Sequence, residues 1–158
     1  MVFQDGSGLV STLFGAAGDL PAPGDYNGDG ITDLAVFRPS TGEWRIRNSD
    51  GTVTTNVWGI PGDTPVQANY DGDNQDDPAI YRPSEGRWYI RGSQAGIYTV
   101  NWGIATDIPV PGDYDGDGKI DPAAYREGLW YLRQSTSGTS IQTYGVAGDR
   151  PIPAAYLQ

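Results

Sequence analysis

Short apolar runs, each broken by Gly, Pro, Ser, Asn or Asp, set the pattern of this chain. Residues 34–38, 79–82 and 123–126 form one set, residues 44–47, 88–91 and 130–133 a second, and residues 54–58, 98–102 and 141–144 a third. Runs of four or five residues between turn formers predict β-strands, because helices usually need ~10 or more residues. In the second set, Trp88 and Ile90 fall on one face and Tyr89 and Arg91 on the other. Bulky groups on both faces predict a sheet covered on both sides. A Pro-rich approach, such as residues 108–114, precedes each trio and predicts a short first strand. No apolar run approaches the ~18–20 residues of a membrane-spanning helix.

These runs recur at a fixed spacing. Asp19, Asp63 and Asp107 each sit in a Gly/Thr-Asp-x-Pro step, 44 residues apart, and Asp149 follows after 42. Trp44, Trp88 and Trp130 keep the same spacing, as do Trp58, Trp102 and Tyr144, each followed by Gly. The third unit is two residues short, because Arg126 is followed directly by Glu-Gly where the others have Pro-Ser-Thr-Gly or Pro-Ser-Glu-Gly. Four short strands per ~44 residues, repeated, predict an all-β fold of propeller blades, with a β-solenoid as the alternative. Complete units are expected over 16–59, 60–103 and 104–145. Residues 1–15 match 45–59 at the same offset and predict the outer strands of a split fourth blade, whose inner strand falls in 146–158. The whole chain, 1–158, then forms one repeat domain.

Composition removes several function classes. There is no His and no Cys, so a Ser-His-Asp triad, a cysteine nucleophile, an ordinary zinc site and a disulfide are all excluded. The formal net charge of −10 opposes nucleic acid and anionic membrane surfaces as partners. The N-terminal residues carry no basic segment followed by a long apolar one, so no secretory signal is expected within this chain.

Carboxylate chemistry remains, and it is concentrated in three loops. The blocks GDYNGDGITD, ANYDGDNQDD and GDYDGDGKID occupy 24–33, 68–77 and 112–121. Numbered from their second residue, they place oxygen donors at positions 1, 3, 5 and 9, with a backbone carbonyl at 7. The first loop offers Asp25, Asn27, Asp29, the Ile31 carbonyl and Asp33. The second offers Asn69, Asp71, Asp73, the Gln75 carbonyl and Asp77, and the third Asp113, Asp115, Asp117, the Lys119 carbonyl and Asp121. Hard oxygen ligands at this density select Ca²⁺ over softer metals, so about three Ca²⁺ per chain are expected. Asn69 removes one charge and predicts a weaker second site. Asn74 stands where the other loops have a position-6 Gly, and Asn tolerates the left-handed region better than most residues. These loops are not EF-hands: position 12 is Val36, Ile80 or Ala124 rather than Glu, and strands are expected to flank it. Ten carboxylates stand at ligand positions, and three Ca²⁺ would take the net charge from −10 to about −4.

The loop-then-strand pattern GDYDGDGKIDPAAYR, with GDYNGDGITDLAVFRPSTGEW, resembles the FG-GAP/VCBS repeats of integrin-like β-propellers. The resemblance implies Ca²⁺ in the loop joining the first two strands of each blade. It also implies a non-enzymatic, extracellular or cell-surface role in adhesion or protein interaction. Lectin activity, self-assembly into a ring or filament through complementary chain ends, and an engineered repeat scaffold are the alternatives. The expected partners are therefore a protein or glycan ligand, or a second copy of the chain, without nucleic acid and without membrane insertion. The Trp columns are expected to wedge between blades rather than stack on sugars. Arg38, Arg82 and Arg126, with Arg47, Arg91 and Arg133, are expected to pair with the Asp19, Asp63, Asp107 and Asp149 column, since Arg suits bidentate carboxylate pairing. Glu43, Glu85 and Glu127 are the only Glu residues, and nothing in their placement predicts a catalytic pair.

Overall fold

The computed structural model describes residues 2–4 and 9–152, with side chains from residue 12 onward. A two-stranded hairpin, β1 (Val2–Gln4) with β2 (Leu9–Ser11), precedes three four-stranded antiparallel sheets. The first sheet contains β3 (Leu20–Pro21), β4 (Leu34–Arg38), β5 (Glu43–Arg47) and β6 (Val53–Val57). The second contains β7 (Thr64–Pro65), β8 (Ala79–Arg82), β9 (Arg87–Gly92) and β10 (Gly96–Asn101). The third contains β11 (Ile108–Pro109), β12 (Ala123–Arg126), β13 (Leu129–Gln134) and β14 (Gly138–Thr143). In each sheet the strands lie side by side in chain order. No helix occurs among the described residues. The protein is all-β and built of propeller-type blades.

The second strands begin and end where the sequence places them. The first strands are shorter, two residues each, because Pro at positions 21, 65 and 109 has no N–H to extend the ladder. Beyond them only single bridges continue the pairing, Gly24 with Asp33, Ala68 with Asp77 and Gly112 with Asp121. These bridges close the base of each acidic loop. Trp58, Trp102 and Tyr144 fall just after their strands rather than inside them. Residues 146–152 carry no strand, and 153–158, expected to complete the inner strand of the split blade, lie outside the described residues.

The missing dipeptide of the third unit has a local consequence. Arg126 pairs with Leu129 across a two-residue turn, and Glu127 and Gly128 take φ of 49° and 87°. Positive φ at both central residues is what a tight β-hairpin requires. Glu127 thus adopts a backbone that non-Gly residues seldom take.

Packing follows the alternation. Trp44 and Trp88 are fully buried, each against the aromatic residue of the second strand, with centroids 5.2 Å from Phe37 and 5.4 Å from Tyr81. The next blade helps to close the first two cores. Ile80 and Tyr89 of the second sheet pack on the core of the first, and the Trp58 indole donates to the Tyr89 carbonyl at 3.3 Å. Trp102 donates in the same way to Tyr131 O at 2.9 Å. Trp44, Trp58, Trp88 and Trp102 therefore wedge between blades, whereas Trp130 has no following blade against it among the described residues.

The two Arg columns separate. Arg38, Arg82 and Arg126 each grip one Asp with two bonds, Arg82 to Asp63 at 2.8 and 2.9 Å. The same Asp63 accepts the Ile60 N–H at 2.9 Å, so the pair fastens the turn before the first strand to the end of the second. Arg82 also lies 4.3 Å from the centre of the Tyr89 ring. Glu43 and Glu85 join the rims of these pairs, at 3.3 Å from Arg38 and Arg82. Arg47, Arg91 and Arg133 form no ion pair among the described residues.

Candidate metal centres

Each acidic loop joins the first strand of a blade to the second, and the bridge at its base holds both ends together. Within that frame the carboxylates adopt three distinct roles. The position-1 side chain folds over the loop and accepts its backbone N–H groups. Asp113 Oδ1 accepts from Gly116 at 2.7 Å and Asp117 at 3.2 Å, and its Oδ2 accepts from Gly118 at 3.0 Å. Asp25 does the same toward Gly28, Asp29 and Gly30. Asn69 has a single acceptor oxygen, which takes the Gly72 and Asp73 N–H groups. Position 6 needs positive φ, with Gly30 at 80° and Gly118 at 86°, and Asn74 supplies it at 68°.

Position 9 is the buried anchor. Asp33, Asp77 and Asp121 are at most 1% exposed. Each accepts the N–H of its own loop's Tyr, from Tyr26, Tyr70 or Tyr114 at 2.9–3.0 Å. The other oxygen accepts the N–H of Ser49, Ser93 or Ser135, from the turn between the third and fourth strands, at 2.7–2.8 Å. That serine column recurs at the repeat spacing, but nothing local in the sequence marks it as part of the site. Its hydroxyls also donate to the position-5 carboxylates, Ser49 to Asp29, Ser93 to Asp73 and Ser135 to Asp117. The turn thereby forms one wall of each site.

Position 3 is the least satisfied. Asp115 Oδ2 accepts from Thr136 N and Oγ1 and from Ser137 N, and Asp71 Oδ2 accepts from Gln94 N and Ala95 N. The Oδ1 atoms of both residues are buried without any hydrogen-bond partner. Oxygens of Asp113, Asp115 and Asp117 converge to within 4.8 Å of one another. In the first two loops Asn27 and Asn69 each replace one carboxylate, so no second trio of acidic oxygens converges in this way among the described residues. Asn27 turns its amide to Asp29 at 3.1 Å. The side chains of Ile31 and Lys119 are exposed and that of Gln75 is half-buried.

Consecutive loops touch. The Asp76 N–H donates to Asp25 O at 2.6 Å, while Asp76 Oδ2 accepts the Asp25 N–H at 2.8 Å. One step on, Ile120 N donates to Asn69 O at 2.9 Å. Asp76 is a contact that loop-by-loop reading did not reveal, because it belongs to the second block and serves the first.

Electrostatics divides the carboxylates. Burial raises Asp33, Asp77 and Asp121 above the usual range, Asp77 to about 6. Hydrogen bonds from Ser49, Ser93 and Thr136 lower Asp29, Asp73 and Asp115. A raised carboxyl binds its proton more tightly in the folded state, so for Asp77 the stabilising effect is full below pH ~4 and lost as pH rises through about 6. For Asp77 the penalty at neutral pH is on the order of 3 kcal/mol. The lowered carboxyls act oppositely and lose their contribution only below pH ~4. Metal-free protein is accordingly expected to be more stable to urea at pH 5 than at pH 7, and added Ca²⁺ to reverse that order. Equal urea midpoints at the two pH values would contradict the burial of Asp77.

Residues 16–55 match the family model of the FG-GAP repeat. The chain carries an FG-GAP repeat over its first blade, and the second and third blades restate the same loop, strands and hairpin. No curated protein and no solved structure matches the chain.

Proposed function

We propose that the chain is a non-enzymatic, Ca²⁺-binding propeller module that serves adhesion or protein interaction outside the cytosol. The observation that carries the metal reading is the pair of orphaned buried oxygens, Asp71 Oδ1 and Asp115 Oδ1. A buried carboxylate oxygen without a donor is costly and calls for an ion or a water. A cation among Asp113, Asp115 and Asp117 supplies the missing partner and offsets their mutual repulsion. An all-oxygen donor set on a flexible loop suits Ca²⁺. The same positions in the other loops, Asp25, Asn27, Asp29 and Asp33, and Asn69, Asp71, Asp73 and Asp77, would hold the other two ions. The Ile31, Gln75 and Lys119 carbonyls would complete the three shells.

The bound ions would pin the first strand, the second strand and the serine turn of each blade together, leaving the inter-strand loops as a firm surface for a partner. Affinity near ~10⁻⁵–10⁻³ M suits a module that meets extracellular Ca²⁺. Asp117→Ala is expected to lower the calorimetric Ca²⁺ stoichiometry from three to two. An unchanged stoichiometry would remove the third loop from the reading.

Self-association is a second reading, favoured by one face. Tyr144 stands where Trp58 and Trp102 reach into the next blade, yet it is 78% exposed, and Val146, two residues on, is 67% exposed. A blade surface from a second copy would cover this patch as Ile80 and Tyr89 cover the first blade. Light scattering is expected to give a mass that rises with concentration, and Tyr144→Asp to abolish the rise.

A further inference from the structure

Two adjacent junctions between blades are built from matching positions but differ in what fills them. Between the second and third blades, Tyr98 and Val100 of β10 pack with Ile120 against the second core, and Tyr70 beneath them is 5% exposed. Forty-four residues earlier the same three positions are Thr54, Asn56 and Asp76. These smaller polar side chains leave a cleft of about 390 Å³ between the first and second blades, bordered also by Tyr26 and Arg91. Tyr26, the counterpart of Tyr70, is only half-buried as a result. The repeat thus provides its own control: at these positions one junction is closed by apolar packing, and its neighbour is open and polar.

The volume falls within the ~300–1,000 Å³ of small-ligand sites. Arg91 brings a guanidinium with five N–H donors and no ion pair among the described residues. Asn56 adds an amide that both donates and accepts, Thr54 a hydroxyl and Asp76 a carboxylate. The Tyr26 ring gives one wall an apolar surface. Arg91 and Asp76 balance each other, and the −10 charge of the chain opposes an anionic ligand. A neutral ring with several hydroxyls meets all of these terms: its O–H groups need paired donors and acceptors, and its C–H face needs an apolar wall.

We propose that this cleft binds a neutral saccharide residue, free or carried on a glycan. The proposal rests on the reading of the chain as an interaction module and names a ligand class for it, without depending on the metal. The test is a glycan array with the full chain, followed by calorimetry with the free monosaccharide of each bound glycan. The decisive variant is Thr54→Tyr with Asn56→Val, which gives the first junction the filling that the chain already uses in the second. Arg91→Ala is its companion. Neutral glycans are expected to bind, and both variants to weaken binding at least tenfold while their far-UV circular dichroism stays that of the parent. Competition by free monosaccharide assigns the cleft to a single ring, whereas binding lost on filling but insensitive to monosaccharide assigns it to a longer glycan stretch. An array without bound glycans, binding restricted to acidic glycans, or affinity that survives the filling would overturn the proposal. A chain that binds glycans but no Ca²⁺ would refute the metal reading alone, so the two fail separately.

Discussion

Saturating Ca²⁺ is expected to stabilise the chain by about 8 kcal/mol when its free concentration is ~100 times the dissociation constant, since each of three independent sites adds about 2.7 kcal/mol. For a domain of this size 1 kcal/mol moves the melting temperature by roughly 2–4 °C, so the shift should reach about 15–30 °C. The cause lies in the loops. Without metal, Asp113, Asp115 and Asp117 face one another within 4.8 Å, and Asp33, Asp77 and Asp121 are buried. With metal, the same oxygens become its ligands and the orphaned Oδ1 atoms gain a partner. Thermal melts with Ca²⁺ and with chelator measure the difference. Coincident melts would mean that hydrogen bonds from Ser49, Ser93 and Ser135 already satisfy the loops, and that the acidic blocks are turns.

Trp88→Ala is expected to cost about 3–5 kcal/mol, the range for removing a large buried aromatic side chain. Trp88 is fully buried, packs against Tyr81 at 5.4 Å and Tyr70 at 6.5 Å, and donates its indole N–H to Trp102 O at 2.8 Å. Truncation opens a cavity that the following blade holds open, and leaves the Trp102 carbonyl without its donor. Trp130→Ala, in the same column, should cost less, about 1–2 kcal/mol, because Trp130 is only half-buried. Urea unfolding of the two variants reads the contrast. Equal losses would contradict the view that blade-on-blade burial, rather than the strand itself, makes this column matter.

The comparison within one column also marks what the sequence could carry. Periodicity located the second strands and the acidic loops because each is specified by residues close together in the chain: alternation for the strands, Asp-Gly spacing for the loops. It could not distinguish Trp88 from Trp130, since their difference lies in which blade comes next in space. The Arg columns divided for the same reason. Arg82 and Asp63, 19 residues apart, meet because β7 pairs with β8, whereas Arg91 faces the junction between blades. Asp76 was hidden most completely. It reads as a surplus carboxylate of the second loop, but it holds the backbone of Asp25 in the first, across 51 residues of chain. The serine column was visible as a repeat and gained meaning only when the turn between the third and fourth strands was found folded onto the loops.

The claim on which the rest stands is that three oxygen-lined loops each hold one Ca²⁺. Native mass spectrometry of the chain, stripped of metal and then supplied with Ca²⁺, counts the ions directly. The account predicts a chain mass increased by three Ca²⁺, with the Asn69 loop the last to fill. A chain that stays metal-free at millimolar Ca²⁺ would contradict it.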